Sequence, residues 1–285
     1  MGLMLYLRFP FLMLLLLSCQ KEGGLTLVKP KCVRSSTNSV AVIVGSNDWV
    51  QFNHTGNNPQ NANEQTVAQI KIPTALTACT GFLINEDTLM TNNHCISSAS
   101  WATNVTATFR NVDESETTFV CNQFITTSVQ YDFTLIKCKD APGKKFGWVG
   151  LSKMKPEKNS PIYLVQENCD YENDPHCLVD KYMSLGHILD LQSSRIYYDA
   201  DTLGGSSGSP VFSNENHQVV AIHNAAAPET ATRAEMNAGV LMYLIRNIIE
   251  TTTNVSVHEW GTAGVFSILN SDLYPNLTID DNCDI

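Results

Sequence analysis

The chain reads as an all-β protein of two barrels followed by a C-terminal helix, and three observations predict it. Short runs of β-branched and apolar residues recur along the sequence, each bounded by polar turn residues. A linker-like stretch, Lys139-Asp140-Ala141-Pro142-Gly143-Lys144-Lys145, divides these runs into two sets. One late segment, Leu241 to Glu250, changes to the three- and four-residue apolar spacing of a helix.

Taken in order, the first set holds strands over Val40–Val44, Thr66–Ile72, Thr80–Ile84, Thr88–Thr91, Val105–Phe109, Thr117–Phe124 and Phe133–Cys138. Each is four to eight residues long and rich in Val, Ile, Thr and Phe, which suit a pleated, half-buried surface. The second set holds Ile162–Val165, Tyr182–Leu189, Arg195–Tyr198, Pro210–Phe212, Gln218–His223 and Gly239–Met242. A barrel over 40–138 and a barrel with helix over 161–250 follow, joined by a linker over 139–160, with a cleft between them. The segment 251–285 carries Trp260, Phe266, Leu269 and Tyr274, too apolar for a free end, and is expected to fold back on the body.

The N-terminus has Arg8, an apolar stretch from Phe9 to Leu17 and then Leu16-Leu17-Ser18-Cys19. This reads as a signal segment over 1–18, too short to span a bilayer comfortably, and its end resembles a bacterial lipobox with Cys19 as the acylated residue. Residues 19–39 then form a tether or pro-segment. Setting Cys19 aside leaves eight of nine cysteines, all able to pair in an oxidising compartment. Cys169 and Cys177 bracket a polar loop and are expected to pair with each other. A formal net charge of −10 with 16% charged residues leaves no basic footprint for nucleic acid. No CxxC or HExxH run is present, so neither a metal nor an organic cofactor is expected. The expected state is a monomer that meets a membrane only through a lipid on Cys19, or that is secreted if an ordinary signal peptidase cleaves nearby.

Chemistry concentrates in three places. The run Gly204-Gly205-Ser206-Ser207-Gly208-Ser209-Pro210-Val211 offers a serine in a turn of small residues, where backbone N–H groups can approach a developing oxyanion. A serine hydroxyl near neutral pH needs an imidazole to take its proton and a carboxylate to hold that imidazole in one tautomer. His94 and Asp132 supply those groups, in the order His, Asp, Ser. They stand 38 and 75 residues apart, so only a folded scaffold can unite them. The G-x-S-x-G elbow of α/β-hydrolases does not fit, because Ser209 stands where its last glycine would be.

These residues resemble the bacterial glutamyl endopeptidases, a branch of the chymotrypsin-like serine proteases. The likeness is carried by Cys79-Thr80-Gly81-Phe82-Leu83-Ile84 with Leu89 to Cys95, by Tyr131-Asp132-Phe133-Thr134-Leu135-Ile136, by Tyr198 through Phe212, and by Val219 to Asn224 with Gly239 to Glu250. It covers about residues 40 to 250. The resemblance implies two six-stranded antiparallel Greek-key β-barrels and an exported serine endopeptidase acting on protein or peptide substrates. It implies Ser207 as nucleophile, His94 as general base, Asp132 as orienting carboxylate, and Gly205 and Ser207 as oxyanion donors. His223 and Thr202 are implied to recognise a substrate Glu or Asp on a strand that includes Asn224 and Ala225.

Asp201 leaves a second possibility open. It lies six residues before Ser207, where trypsin-like enzymes carry the aspartate that binds substrate Arg or Lys. Cleavage after a basic residue, or a catalytically silent binding protein on the same fold, are the competing expectations. The resemblance also implies a Cys79–Cys95 bridge pinning the histidine loop. Cys32, Cys121, Cys138 and Cys283 then allow three pairings, of which Cys121–Cys138 with Cys32–Cys283 is favoured.

Overall fold

The computed structural model of this 285-residue chain describes residues 43–52, 58–74, 77–168, 181–227 and 236–262. The expected signal segment, Cys19, the tether, the Cys169–Cys177 and Cys32–Cys283 pairings and the segment 263–285 lie outside the described residues.

The chain enters through a two-residue strand β1 (Val50–Gln51) and a short helix α1 (Pro59–Gln65). The first barrel follows as β2 (Val67–Ile72), β3 (Thr77–Leu83), β4 (Thr88–Thr91), β5 (Thr106–Arg110), β6 (Glu116–Val120), β7 (Gln123–Ser128) and β8 (Phe133–Lys137). After the single turn α2 (Gly143–Phe146) come β9 (Pro161–Glu167), β10 (Lys181–Gln192), β11 (Arg195–Tyr198), β12 (Pro210–Ser213), β13 (Val219–Ala226), β14 (Asn237–Leu241) and helix α3 (Met242–Thr252). Every strand pairing in both sheets is antiparallel.

The first sheet runs β6-β5-β2-β3-β4-β8-β7. Its two end strands do not pair with each other. The end of β6 is instead tied to the end of β8, the neighbour of β7, by the Cys121–Cys138 disulfide and by the Lys139 amide, which donates to the Val120 carbonyl at 2.9 Å. The second sheet closes fully as β10-β11-β14-β13-β12-β9, with β1 added on β10. Closure depends on β10, whose first half pairs with β9 and whose second half pairs with β11 across a bulge between Ile188 and Asp190. This is the all-β, two-barrel architecture expected, with one closed six-stranded ring and one open seven-stranded sheet.

Two strand expectations and one for the linker change. Ile43 and Val44 are not in a strand, because the Val44 amide donates to a carboxylate of the second barrel, Asp201, at 2.6 Å. The expected strand Thr117–Phe124 is two, broken at Cys121-Asn122, where the disulfide takes the chain around a corner. The linker contains α2, wedged under the β3–β4 turn: a Cβ on Gly143 would stand 2.7 Å from the Asn85 carbonyl oxygen.

One apolar core spans both barrels and the helix. Phe82, Met90 and Phe133 meet Tyr163, Val165 and Phe212, and Met242, Ile245 and Ile249 of α3 complete the same cluster. Fully burying side chains of this size stabilises by roughly 1.5–3 kcal/mol each, so the barrels gain by staying together. Polar links reinforce the junction. Lys181 on β10 donates to Glu64 of α1 at 2.7 Å, both side chains fully buried, and Asn63 donates to the Tyr163 hydroxyl at 2.8 Å. Beyond α3 the chain returns along the body, where the amides of Leu151 and Thr262 donate to the carbonyls of His258 and Trp148 at 2.8 Å.

Candidate active site

β4 ends at Thr91, and the next residues, Asn92-Asn93-His94-Cys95, leave the sheet at its edge. The Cys79–Cys95 disulfide ties this turn back to β3, its partners standing 16 positions apart. Asp132 immediately precedes β8 and holds φ at +44°, a left-handed conformation that aspartate adopts more readily than most residues. That turn aims its carboxylate back at the histidine. The His94 backbone amide donates to Asp132 Oδ1 at 3.0 Å, and ring Nδ1–H donates to Oδ2 at 2.8 Å. Asn92 Nδ2 donates to the Asp132 carbonyl at 2.8 Å, and Asn93 Nδ2 to Thr127 at 2.7 Å, so both flanking asparagines brace the loop.

Burial raises the Asp132 carboxyl, but the hydrogen bonds and charge of His94, with Asn224, outweigh it and hold the group below the usual carboxylate value. It stays ionised in neutral solution. The imidazole is 39% exposed against 17% for the carboxylate, so the ring faces the cleft and the acid sits behind it.

The loop from Thr202 to Ser209 belongs to the second barrel yet is bonded to the first. The Thr80 amide donates to the Ser207 carbonyl at 2.8 Å, and the Thr80 hydroxyl to the Gly205 carbonyl at 2.9 Å. Gly205 and Gly208 adopt φ of +93° and +89°. At Gly208 a Cβ would come within 2.2 Å of the Thr80 carbonyl oxygen and 2.6 Å of Thr91 Oγ1, so only glycine lets the loop lie this close to β3 and β4. The amides of Ser206, Gly208 and Ser209 are spent on Leu203, His223 and Ser206 carbonyls. Those of Gly205 and Ser207 donate to no described residue, so two N–H groups beside the serine have no described acceptor.

Beneath this loop lies a buried polar wall. His223 Nδ1 and the Tyr198 hydroxyl are 2.6 Å apart, both side chains fully buried. The Thr202 hydroxyl donates to Asn237 Oδ1 at 2.7 Å, and Asn237 Nδ2 to the Ala200 carbonyl at 2.8 Å. Since β14 carries Asn237 and pairs Gly239 with His223, Thr202 and His223 address the same strand. Ala225 pairs with Ala238 at the half-buried end of β13. Asp201 is turned elsewhere: its carboxylate accepts the amides of Val44 at 2.6 Å and Asp48 at 3.2 Å. Burial pushes its pKa up against those two bonds.

Asn224, expected on the substrate strand, instead sends Nδ2 to Asp132 Oδ2 at 3.1 Å and so joins the two barrels at the carboxylate. Tyr198 had no expected role despite standing in the serine-loop motif. Its phenol is visible in sequence, but its contact with His223 needs the β11–β14–β13 stacking. A cavity of about 410 Å³ elsewhere, bordered by Asp87, Lys137, Trp148 and His258, contains none of these groups.

The pattern of the trypsin-like peptidase domain matches residues 79–222. An extracellular metalloprotease of Bacillus subtilis (strain 168) is 28% identical over 195 residues, which cover 64% of this chain and 61% of that protein. A glutamyl endopeptidase of Staphylococcus aureus (strain MRSA252) is 28% identical over 237 residues, covering 80% of this chain and 63% of that protein. The matched region therefore spans a little over three-fifths of each relative. Among solved structures, a Glu endopeptidase in complex with MPD superposes with a TM-score of 0.57 at 19% identity, over 72% of this chain and 99% of the other. Neuropsin from mouse brain gives 0.54 at 14% identity, over 67% and 95%. At these identities the structural likeness concerns the fold.

Proposed function

This chain belongs to the trypsin-like peptidase family, and from that premise we propose that it is a serine endopeptidase cleaving after Glu or Asp through an acyl-enzyme. The observation that carries the proposal is the interlock of the Ser207 loop with the strands that deliver a hydrogen-bonded His94–Asp132 pair. Ser207 Oγ attacks the scissile carbonyl while His94 Nε2 takes its proton, and Asp132 holds the imidazole with Nδ1 protonated. The carbonyl oxygen, now negative, accepts the amides of Gly205 and Ser207. His94 returns the proton to the leaving amine; water then attacks the acyl carbon while His94 takes its proton, and His94 passes that proton to Ser207 Oγ as the acid product leaves.

For the side chain before the scissile bond, His223 is the donor suited to a substrate carboxylate that has shed its water. The Thr202 hydroxyl must first turn away from Asn237, so its contribution is the smaller. The engagement of Asp201 by two backbone amides supports this reading over binding of a substrate cation. The metal chemistry in the Bacillus subtilis relative's name is that protein's; among the described residues of this chain no three His, Cys, Asp or Glu side chains converge. Export belongs to the same reading, since the two disulfides suit an oxidising compartment and a lipid on Cys19 would tether the enzyme. Loss of the Cys19→Ser chain from the membrane fraction tests the tether.

A panel of chromogenic peptides differing only in the residue before the cleaved bond, together with a fluorophosphonate probe, tests the activity. Wild-type protein is expected to label at Ser207 and to prefer Glu. Ser207→Ala should lose on the order of 10⁴-fold or more in turnover, and His223→Ala at least about tenfold in its preference for Glu. Cleavage retained by Ser207→Ala removes the mechanism. A preference for Arg or Lys that vanishes in Asp201→Asn replaces the acidic specificity with a basic one.

A further inference from the structure

The ladder between β13 and β14 slips at one residue. His223 pairs with Gly239 and Ala225 with Ala238, so Asn224 is the extra residue of a bulge. Bulges free a residue from the ladder and re-aim its side chain. Here the side chain crosses to the first barrel, and its Nδ2 donates to Asp132 Oδ2, the same oxygen that takes the His94 Nδ1–H.

A carboxamide has a donor end and an acceptor end of nearly equal shape. Turned end for end, Asn224 would set its carbonyl oxygen against the Asp132 carboxylate. Arg195, the first residue of β11, decides between the two: its Nη1 donates to Asn224 Oδ1 at 3.2 Å. A guanidinium carries donors and no acceptor, so it can hold only the oxygen end.

We propose that Arg195 is a positioning residue for the hydrolysis, locking the Asn224 amide so that its N–H end bears on Asp132 and fixes the carboxylate that orients His94. The inference rests on the assignment of His94, Asp132 and Ser207 above. A line of polar contacts runs from Arg195 through Asn224 and Asp132 to His94, at 3.2, 3.1 and 2.8 Å. Among the described residues, His94 and Arg195 are the charged or titratable side chains bonded to the Asp132–Asn224 pair. With Arg195 gone, the amide samples both orientations and Asp132 loses its second side-chain donor. Turnover then suffers while substrate binding does not.

The test uses full-length protein carrying Arg195→Met, Arg195→Lys, Asn224→Ala and the Met/Ala double change. Arg195→Met is expected to lower kcat about tenfold with KM changed less than about twofold, and to slow fluorophosphonate labelling in parallel. Arg195→Lys, which retains a donor and the packing stem, should recover most of the rate. Because Arg195 acts through Asn224, the double variant should be no slower than Asn224→Ala alone. Multiplying defects in the double variant, or an Arg195→Met enzyme with wild-type kcat, overturns the inference and leaves the triad assignment standing. A folded wild-type protein that neither labels nor cleaves overturns the assignment itself, and this inference with it.

Discussion

At Gly208 one hydrogen atom decides whether two barrels can share a site. The residue sits at φ +89° with the Thr80 carbonyl oxygen where a Cβ would go, and neither the loop nor β3 can retreat without breaking the Thr80–Ser207 bond. Gly208→Ala should therefore cost at least about 2 kcal/mol and detach the serine loop from β3. Chemical denaturation measures the first effect, and fluorophosphonate labelling of the folded fraction the second. Wild-type labelling in that variant would show that the loop needs no docking on β3. Asp132 is the converse case, a side chain that accepts a left-handed backbone so that both its oxygens reach His94. The glycine was legible from its motif. The backbone twist at Asp132 was not, because nothing in Tyr131-Asp132-Phe133 distinguishes it from a continuing strand.

Among the elements, the two described disulfides close loops of nearly equal size, their partners standing 16 and 17 positions apart. Chain entropy alone gives them the same value, about 3 kcal/mol each. Their positions differ. Cys79–Cys95 anchors the turn that carries His94, whereas Cys121–Cys138 closes the seam between β6 and β8. Replacing either pair by alanine should lower the urea midpoint similarly, but only the Cys79/Cys95 variant should slow Ser207 labelling of the folded protein. Equal slowing in both variants would mean that the histidine turn is held by Asn92 and Asn93 without help from the bridge. Helix α1 is an element that sequence patterning missed. It is seven residues long and mostly polar, its Asn58 cap bonds the Asn61 amide at 2.9 Å, and its partners Lys181 and Tyr163 lie about a hundred residues away.

For the molecule as a whole, acidity should act through half-buried histidines as well as the site. Burial holds His217 below its ordinary value of 6.5, and burial with the Arg246 charge does the same to His258. Below pH 6.5 the unfolded chain takes up protons that the folded chain refuses. Their contribution to stability is thus complete above about pH 6.5 and is lost as pH falls through the lower folded values. His217 stands at φ +59°, which asparagine tolerates, so His217→Asn should flatten the fall in urea midpoint between pH 7 and pH 5. An unchanged slope would assign the effect to other groups. The same residue touches the barrel junction, since its backbone carbonyl accepts Asn63 Nδ2 at 3.0 Å and its ring lies 3.2 Å from the Tyr163 hydroxyl.

What the sequence determined by itself was local and chemical: strand-forming runs, the divide near Lys139, the helix from Leu241, and the presence of a serine, an imidazole and a carboxylate in a telling order. Such features follow from side-chain shape, periodicity and reactivity within a few residues, all of which a linear text records. Direction was decided only by tertiary structure. Asp201 faces Val44 and Asp48, and Asn224 leaves its ladder for Asp132 under the hold of Arg195. A side chain's orientation depends on a bulge, a left-handed turn or a donor from a remote strand. Those partners are neighbours only once the two barrels have closed on a common core.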